Sequence, residues 1–333
     1  MWLGNSESSA ELPASSAPRP LVSVVLLSYN RPAYLRAALA SLLAQTYAPL
    51  EIIVVDNPSP ASAEVARIVG EHTQIKLLRP PVNLGYAGGM NAGIEQAAGR
   101  FLYLTEDDIV LAENCLAQLV EYMNQHPATG LCAPIIYNRT ARTIRCAGGE
   151  FELGAVYRKK VYGAGEADTG QFAQAFQVTY IDGAAILAET DLLRELGGFR
   201  AEYFMYVEAV ELCARVIKRG RQLAVVPQAK VFHFELPEGP TPPELEFHKI
   251  KNFFSLYLLH APLRHLPEFI CRYALLNPLR SLMRRRGDTL ILFRALLWVT
   301  SRAPSLLRER HKQARVHAAA VRTRYTDEPS FFA

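Results

Sequence analysis

Short apolar runs that end in polar residues alternate with helix-forming segments through the first part of the chain. The runs at 21–30, 50–56 and 75–79 are apolar at most positions, which is typical of parallel strands covered on both faces. The segment at 33–45 has apolar residues at helical spacing, and 61–71 follows a turn rich in Pro and Ser, so both predict helices. The order β-α-β-α-β predicts an α/β fold with a largely parallel sheet.

A fourth apolar run begins at Phe101 and ends in three consecutive acids, Glu106, Asp107 and Asp108. Three neighbouring carboxylates repel one another unless a cation lies among them, and such oxygen ligands suit Mg²⁺ or Mn²⁺. The alternative is a solvated loop or the N-terminal cap of a helix predicted at 111–125, where acids are also favourable. Both interpretations stay open at this point.

Polar residues at the ends of the predicted strands outline a candidate site. In an open parallel sheet, ligands bind at the carboxyl ends of strands. Asn30 and Asp56 end two of the strands, and the acid triplet ends a third. We therefore expect these side chains to lie along one edge of the sheet.

The segment 83–93 has four glycines within its last nine residues and leads into a helix through Ala98. Such a segment lets the backbone approach a ligand and points amides at phosphate, although a plain helix-initiating turn explains it as well. The spacing is not that of the dinucleotide-binding fingerprint, which argues against an NAD-linked oxidoreductase.

Composition and charge narrow the class of protein. The chain has 333 residues, 50% of them hydrophobic and 20% charged, enough for one large α/β domain with an appendage. The net charge of +4 gives no indication of a nucleic-acid partner. The five cysteines are widely spaced and contain no CxxC pair, which favours reduced thiols in a cytoplasm. Residues 1–20 predict a disordered leader, not a signal peptide.

Four motifs, in order, resemble family 2 glycosyltransferases of the GT-A fold. They are the strand 24–30 followed by Arg31-Pro32, the sequence Val-Val-Asp-Asn at 54–57, the sequence Asn-Leu-Gly-Tyr-Ala-Gly-Gly-Met-Asn at 83–91, and the acid triplet. The version of the third motif is most similar to bacterial rhamnosyl- and galactofuranosyl-type transferases. The resemblance covers roughly residues 21–260, and it implies a Rossmann-like mixed sheet flanked by helices.

The resemblance also implies a set of site residues. The metal, Mg²⁺ or Mn²⁺, would be held by Asp108, Asp107 and His233, although His233 by itself is typical of a packed core histidine. Asp182 and Gly183, within a strand predicted at 178–187, would contact the acceptor. The nucleotide-sugar donor would contact Ser28, Tyr29, Asn30, Arg31, Asp56, Asn83, Gly85, Gly88, Gly89, Asn91, Glu106 and Asp107. Asp56 would accept from the base imide, with a strand-end turn cap as the alternative.

The chain departs from the family at the position of the catalytic base. An inverting displacement needs a carboxylate that takes the acceptor proton. The family has two adjacent acids here, whereas this chain has Glu208 followed by Ala209; upstream, Arg200 and Ala201 replace two more acids. Glu208 or Glu211, which lie three apart in the segment 203–213 and share one face if it is helical, would serve instead. Otherwise the acceptor supplies its own base, or the protein no longer catalyses.

The chain changes character after residue 261. The stretches 269–286 and 290–299 mix apolar residues with arginine, and neither reaches the length of a membrane-spanning helix. Basic amphipathic helices at 262–310 fit the surface of an anionic membrane, and they equally fit packing on the catalytic domain or on a second subunit in a homo-oligomer.

These observations predict a donor-binding half at 21–110, an acceptor half at 111–260 and a helical, basic extension at 261–333. The predicted function is a cytoplasmic, metal-dependent, inverting glycosyltransferase of cell-surface polysaccharide synthesis, peripheral on the inner membrane face. It would move a rhamnose-like sugar from a UDP- or dTDP-sugar to a glycan or lipid-linked acceptor. The alternative is a nucleotide-sugar-binding or scaffold protein of the same fold that does not catalyse.

Overall fold

The computed structural model describes residues 18–140, 142–234, 241–276 and 289–325. Most of the predicted leader and the arginine-rich end of the stretch at 269–286 therefore lie outside the described residues.

The first half of the chain forms the parallel part of a mixed sheet. Its elements are β1 (Val22–Ser28), α1 (Pro32–Leu43), β2 (Leu50–Asp56), α2 (Ser62–Gly70), β3 (Ile75–Leu78), α3 (Gly85–Gln96) and β4 (Phe101–Glu106). Strand β1 pairs in parallel with β2 and β4, and β2 pairs in parallel with β3. All seven residues of β1 are buried, as expected for a strand that is apolar at nearly every position.

The second half adds antiparallel pairing. Its elements are β5 (Ile109–Leu111), α4 (Cys115–Gln125), β6 (Thr129–Asn138), β7 (Ile144–Cys146), β8 (Gly149–Leu153), β9 (Tyr157–Val161), β10 (Phe176–Val178), β11 (Ala185–Glu189), α5 (Thr190–Leu196), α6 (Glu208–Lys218) and β12 (Gln222–His233). The main path through the sheet is β10-β12-β6-β11-β4-β1-β2-β3, with β5 paired to β12 and β7 to β6. This mixed α/β architecture, with helices on the sheet, confirms the predicted fold class.

Three predicted elements were wrong in their bounds. The strand predicted at 178–187 is two strands, β10 and β11, because residues 179–184 form a loop between them. The segment 203–213, considered as a possible helix, is helical only from Glu208, since Phe204, Tyr206 and Val207 have φ between 62° and 70°. The helix predicted at 111–125 begins at Cys115, because 109–111 pairs with β12 as β5.

Helices form the C-terminal part of the described chain. They are α7 (Pro243–His260), α8 (Leu266–Phe269), a π-helical turn (Ile270–Leu276) and α9 (Thr289–Tyr325). Helices α7 and α9 share a small apolar core around Phe269, whose ring stacks on Tyr257 with centroids 3.7 Å apart. The helical extension is therefore present, and it packs on the rest of the protein.

Helix α9 is longer than the sequence pattern predicted. Its first part, Thr289–Gln313, has the length and the apolar composition of a helix that could cross a membrane. Only 17% of its most apolar 18-residue stretch is buried. The prediction that this stretch falls short of a spanning length was wrong, because the helix continues without a break beyond residue 299. A single such helix is weak evidence for a membrane, since core helices pass the same test.

Candidate active site

Two residues far apart in the sequence, Asp108 and His233, meet at the carboxyl end of β4. Strand β5 starts directly after Asp108 and pairs with the end of β12, where His233 lies opposite Ile109. The Phe234 amide donates to the Asp108 carbonyl at 2.9 Å. As a result, His233 Nε2 lies 3.9 Å from Asp108 Oδ1. The structure thus brings together two of the predicted metal ligands.

The ring of His233 is oriented by its own backbone neighbour. Nδ1 lies 2.7 Å from the carbonyl oxygen of Phe234. A carbonyl oxygen only accepts, so Nδ1 donates, and the neutral ring keeps its lone pair on Nε2, the atom that faces Asp108. Metal-ligating histidines usually donate their second ring nitrogen in this way.

The end of β1 fixes the acid triplet. Asp107 Oδ2 accepts from Ser28 Oγ at 2.9 Å and from the Tyr29 amide at 3.0 Å. The Arg31 guanidinium pairs with Asp108 Oδ2, and its Nε lies 3.6 Å from Asp107 Oδ1. In contrast, Asp108 Oδ1 is buried without a hydrogen-bond partner among the described residues. One carboxylate oxygen is thus left facing the imidazole.

The site is short of positive charge. Burial raises the pKa of Glu106 well above its usual range, and the Asp108 charge raises it further. Burial also raises the pKa of Asp107 to about 6, although Arg31 acts in the opposite direction. Among the residues that the structure describes, Arg31 is the one arginine paired with this triplet, so an additional cation would relieve the repulsion of its three carboxylates.

The donor atoms fit a divalent metal whose remaining ligands come from a substrate. Among the described residues, no three His, Cys, Asp or Glu side chains are grouped so that they could hold an ion. Mg²⁺ and related hard cations are commonly held by one or two carboxylates together with substrate phosphates and water. Asp108 and His233 supply one oxygen and one nitrogen, a pair that Mn²⁺ accepts more readily than Mg²⁺.

Glu208 is the first residue of α6 and has the properties of a general base. The preceding residue, Val207, has a φ of 70° and turns the chain into the helix. Burial raises the pKa of Glu208 to about 7, with a contribution from the Asp182 charge. Its Oε2 is buried without a hydrogen-bond partner among the described residues. A carboxylate with a pKa near the working pH suits proton acceptance.

Glu211, the other predicted base, lies in a buried ion network instead. Its carboxylate accepts from Arg215 Nε at 2.8 Å, from Arg200 Nε at 3.0 Å and from His260 Nε2 at 3.0 Å. Burial alone would raise the pKa of Glu211, but Arg215, His260 and Arg200 together hold it well below its usual range. A carboxylate with these partners cannot take an acceptor proton, so we do not retain Glu211 as a base.

Arg200, at a position where the family has an acid, forms part of this network. It pairs with Glu211, with Glu202 and with Glu309 of α9. Sequence reasoning missed this role and that of His260. The spacing of Glu211 and Arg215 was the available signal, since residues four apart on a helix pair readily.

Asp182 and Gly183 lie in the loop between β10 and β11, near Glu208. Asp182 accepts from Tyr180 Oη at 3.2 Å and from the Ala184 amide at 3.0 Å. The Gly183 carbonyl accepts from Tyr86 Oη at 2.6 Å. A Cβ on Gly183 would lie 3.4 Å from the Cβ of Ala209, so this loop packs against the start of α6. The Asp182 charge contributes to the raised pKa of both Glu106 and Glu208.

The glycines of 83–93 pack against the protein instead of pointing amides at an open site. Gly85 has a φ of 67°, and a Cβ there would lie 2.4 Å from the Phe204 carbonyl oxygen. A Cβ on Gly89 would lie 2.5 Å from Leu27, and one on Gly88 would lie 2.8 Å from Leu84. Close approach to Phe204, Leu84 and the β1 residue Leu27 explains these three glycines, in line with the alternative of a helix-initiating segment.

The asparagines of the same region fix loops to one another. Asn83 Oδ1 accepts from the Gly85 amide at 2.8 Å. Asn91 joins α3 to the loop after α5, because its amide group both donates to the Phe199 carbonyl and accepts from the Phe199 amide at 2.7 Å. Neither side chain lies with the acid triplet in a common hydrogen-bond network, so their predicted contacts with the donor stay predictions.

Asp56 and Asn30 differ in how far they are open to a ligand. Asp56 is fully buried, and its carboxylate accepts from Arg79 Nε at 2.9 Å and from Ser62 Oγ at 3.2 Å. These bonds match the alternative of a strand-end cap, and a bond to a base imide would require Arg79 to move. Asn30 is exposed and has a φ of 58°, a conformation that asparagine tolerates better than most residues.

Comparisons with known proteins show similarity to glycosyltransferases. Residues 23–182 match the sequence profile of the family described as glycosyl transferase family 2. An N-acetylglucosaminyl-diphospho-decaprenol L-rhamnosyltransferase of Mycobacterium tuberculosis is 24% identical over 233 residues, which are 64% of this chain and 76% of the relative. A UDP-Glc:alpha-D-GlcNAc-diphosphoundecaprenol beta-1,3-glucosyltransferase of Escherichia coli is 35% identical over 100 residues, 30% of this chain and 40% of the relative.

The chain spans only part of some relatives. An uncharacterized protein of Sinorhizobium fredii is 27% identical over 227 residues. The aligned region is 65% of this chain but only 24% of that protein.

Two solved structures share the fold. GalNAc-T7, determined with UDP, GalNAc and Mn²⁺, aligns with a TM-score of 0.60 at 19% identity, over 72% of this chain and 48% of that one. A mannosyltransferase from Pyrobaculum calidifontis, in complex with GDP-Man and Mn²⁺, aligns with a TM-score of 0.53 at 17% identity, over 97% and 92% of the two chains. At these identities the likeness concerns the fold alone.

Proposed function

Because the chain belongs to glycosyl transferase family 2, we propose that it is a metal-dependent, inverting glycosyltransferase. It transfers a rhamnose-like sugar from a UDP- or dTDP-sugar to a glycan or lipid-linked glycan during synthesis of cell-surface polysaccharide. The observation that carries the metal-dependent part is the buried, unpartnered Asp108 Oδ1 at 3.9 Å from His233 Nε2. Buried polar atoms are rarely left without a partner unless a ligand completes the site.

Asp108 and His233 would hold the metal, and Mn²⁺ or Mg²⁺ would neutralise the charge that develops on the diphosphate leaving group. Asp107, fixed by Ser28 and the Tyr29 amide, supports Asp108 from the neighbouring position. Arg31 pairs with both carboxylates in their present arrangement. It would share those carboxylates with the metal, or turn toward the diphosphate once the metal is bound.

Glu208 would take the proton of the acceptor hydroxyl. The acceptor oxygen attacks the anomeric carbon while the bond from that carbon to the diphosphate oxygen breaks, and the hydroxyl proton moves to Glu208 Oε2. That oxygen has no other hydrogen-bond partner among the described side chains and backbone. Asp182, whose charge contributes to the raised pKa of Glu208, would position the acceptor. The small side chain of Ala209 would leave space for the acceptor beside Gly183.

The donor would lie over the ends of β1 and β4. Tyr29 is 44% exposed beside Asp107, so its ring is accessible to the base of a nucleotide. The base and ribose would extend from there across Asn30 toward the end of β2. This placement follows the general position of ligands in open α/β sheets.

The same proposal places the enzyme at the cytoplasmic face of a membrane. Leu290, Phe293 and Leu297 of α9 are 68%, 64% and 62% exposed. Their spacing puts them on one side of the helix, and an exposed apolar stripe of this kind fits a lipid surface. Two relatives act on substrates whose names include a polyprenyl diphosphate, which supports an acceptor at such a surface.

A second candidate is a binding protein that no longer catalyses. Two observations favour it: Ala209 stands where the family has its base, and Arg31 already neutralises part of the acid triplet. Loss of a positioned base slows a reaction by about 10² to 10⁴ without preventing donor binding.

Donor binding and sugar transfer, measured separately with Mn²⁺ and with EDTA, distinguish the two candidates. The proposed enzyme binds UDP- or dTDP-sugar and transfers or hydrolyses it only with the metal. Metal-dependent binding without turnover, over acceptors with and without a lipid diphosphate, would favour the binding protein. Turnover that persists in EDTA would contradict the metal site.

A further inference from the structure

A cavity of about 620 Å³ lies between the acceptor half and the C-terminal helices. Its walls are largely aromatic and aliphatic, with contributions from Tyr157, Tyr206, Ile250, Phe253, Tyr273 and Leu292. The rings of Tyr157 and Tyr273 lie edge-on to Phe253 with centroids 5.3 and 5.4 Å away. The volume is that of a typical ligand pocket, and the walls favour an apolar ligand.

One wall of the cavity adjoins the proposed base. Tyr206 and Val207 line the cavity and directly precede Glu208 in the chain. Val210, the third residue of α6, also lines it. The end of an apolar chain that carries the sugar would therefore lie beside Glu208, the carboxylate proposed to take the proton of the reacting hydroxyl.

The opposite wall belongs to α9. Leu292 lines the cavity, while the adjacent residue Phe293 is exposed on the outer surface of the same helix. Together with Leu290 and Leu297, Phe293 forms the stripe that fits a lipid surface. Helix α9 thus separates the cavity from the surface from which a lipid-borne molecule would arrive.

The charged residues that line the cavity are Lys159, Lys249 and Glu246, and the excess of one positive charge favours an anionic head group. Lys159 and Lys249 are both exposed lining residues. Lys249 pairs with Glu246 at 3.6 Å, and Lys159 Nζ lies 4.0 Å from the centroid of the Tyr180 ring. Tyr180 in turn donates to Asp182 in the acceptor loop. Lys159 is thus placed between the apolar cavity and the predicted acceptor site.

We propose that this cavity holds the apolar chain of a lipid diphosphate acceptor, with its sugar beside Glu208 and its diphosphate near Lys159. The inference rests on the proposed function, because it specifies the acceptor of the same site. It identifies the substrate class as a sugar linked through diphosphate to a long apolar chain. A free fatty acid, detergent or second copy of this chain would lack the diphosphate that the lysine position favours.

Leu292→Trp tests the cavity, because the larger side chain would fill space meant for the lipid. The test compares two acceptors with the same sugar diphosphate, one with a prenyl chain and one with a methyl group. We expect the variant to lose about tenfold to a hundredfold in kcat/KM for the prenyl acceptor, the effect of excluding two to three methylene-sized groups. The methyl acceptor should react as with the unchanged protein.

Leu43→Trp is the matched control, since Leu43 is an exposed leucine at the end of α1, outside both the cavity lining and the apolar stripe of α9. It should leave both acceptors unaffected. Equal loss for both acceptors in Leu292→Trp, or no loss for either, would overturn the inference. Absence of transfer in the unchanged protein would instead count against the proposed function.

A binding measurement tests the cavity without turnover or substitution. The full chain is irradiated with a prenyl diphosphate that carries a diazirine on its first isoprene unit, next to the diphosphate, and the labelled residues are mapped. We expect labels within 206–210 and 246–257 that excess unlabelled prenyl diphosphate removes. Labels confined to Leu290, Phe293 and Leu297, or labels that the competitor does not reduce, would contradict the inference.

Discussion

Glu208 and Glu211 lie three positions apart on α6, yet their surroundings are opposite. Glu208 is buried, and burial raises its pKa to about 7, with a further contribution from the charge of Asp182. Glu211 is enclosed by Arg215, Arg200 and His260, which hold its pKa far below that of an ordinary glutamate. The comparison teaches that the charge around a carboxylate, and not its place on the helix, decides whether it accepts a proton or fixes the fold.

The largest effect should come from Glu208→Gln, which keeps the size of the side chain but cannot accept a proton. We expect transfer to fall about 10² to 10⁴ fold, the usual value of a positioned base, while donor affinity stays nearly unchanged. Initial rates and donor titrations measure the two quantities. Glu195→Gln, at an exposed residue on α5, is the control. Parallel loss of affinity and turnover would contradict the assignment.

Glu211→Gln should act on stability instead of chemistry. The substitution leaves buried Arg215 without its carboxylate partner, which typically costs about 3–5 kcal/mol. Denaturant unfolding should show that loss in the free energy of unfolding. An unchanged stability with a large loss of turnover would reverse the roles of the two glutamates.

Gly85→Ala should destabilise the protein without a specific effect on the metal. Its φ of 67° and the approach to the Phe204 carbonyl disfavour a Cβ, and backbone strain of this kind costs about 1–3 kcal/mol. The same unfolding measurement checks it, with Gly70→Ala as control because a Cβ there meets nothing within 4 Å. If Gly85→Ala instead weakened donor binding at full stability, the predicted phosphate contact would regain support.

The smallest effect is the pH dependence of transfer. Glu208 must be deprotonated to act, and its pKa is raised to about 7, so activity should rise with pH and level off above that value. At one unit below the pKa, turnover should be about tenfold lower than the plateau. The rate profile of the unchanged protein between pH 5 and 9 measures this. A profile that is flat through pH 7 would exclude Glu208 as the titrating base.

Local patterns predicted the parallel strands β1 to β4, because an all-apolar strand or a helical stripe is determined by neighbouring residues, whereas β5 to β9 were not predicted. The predictions for β1, β2 and α1 agree with the structure to within two residues. The irregular segment at 204–207 was missed, since positive φ at Val207 leaves no clear signature in sequence.

The site was harder to predict from residues alone. The meeting of Asp108 and His233 depends on β5 pairing with β12, a contact between distant parts of the chain, and only the family resemblance pointed to it. Burial of the acids could not be predicted from the sequence either. In the structure, Asp56 is buried and paired with Arg79. Glu211 is buried and paired with Arg200 and Arg215.

The most direct test of the account is a titration of the full chain with Mn²⁺ in the presence of UDP, in which electron paramagnetic resonance measures the bound metal. The account predicts one site in the unchanged protein. Asp108→Asn and His233→Asn should each weaken binding beyond the roughly 10- to 100-fold lost when a supporting residue is removed. Asp191→Asn, at an exposed position on α5, should bind Mn²⁺ normally. Equal affinity in all four proteins would contradict the claim that Asp108 and His233 hold the metal.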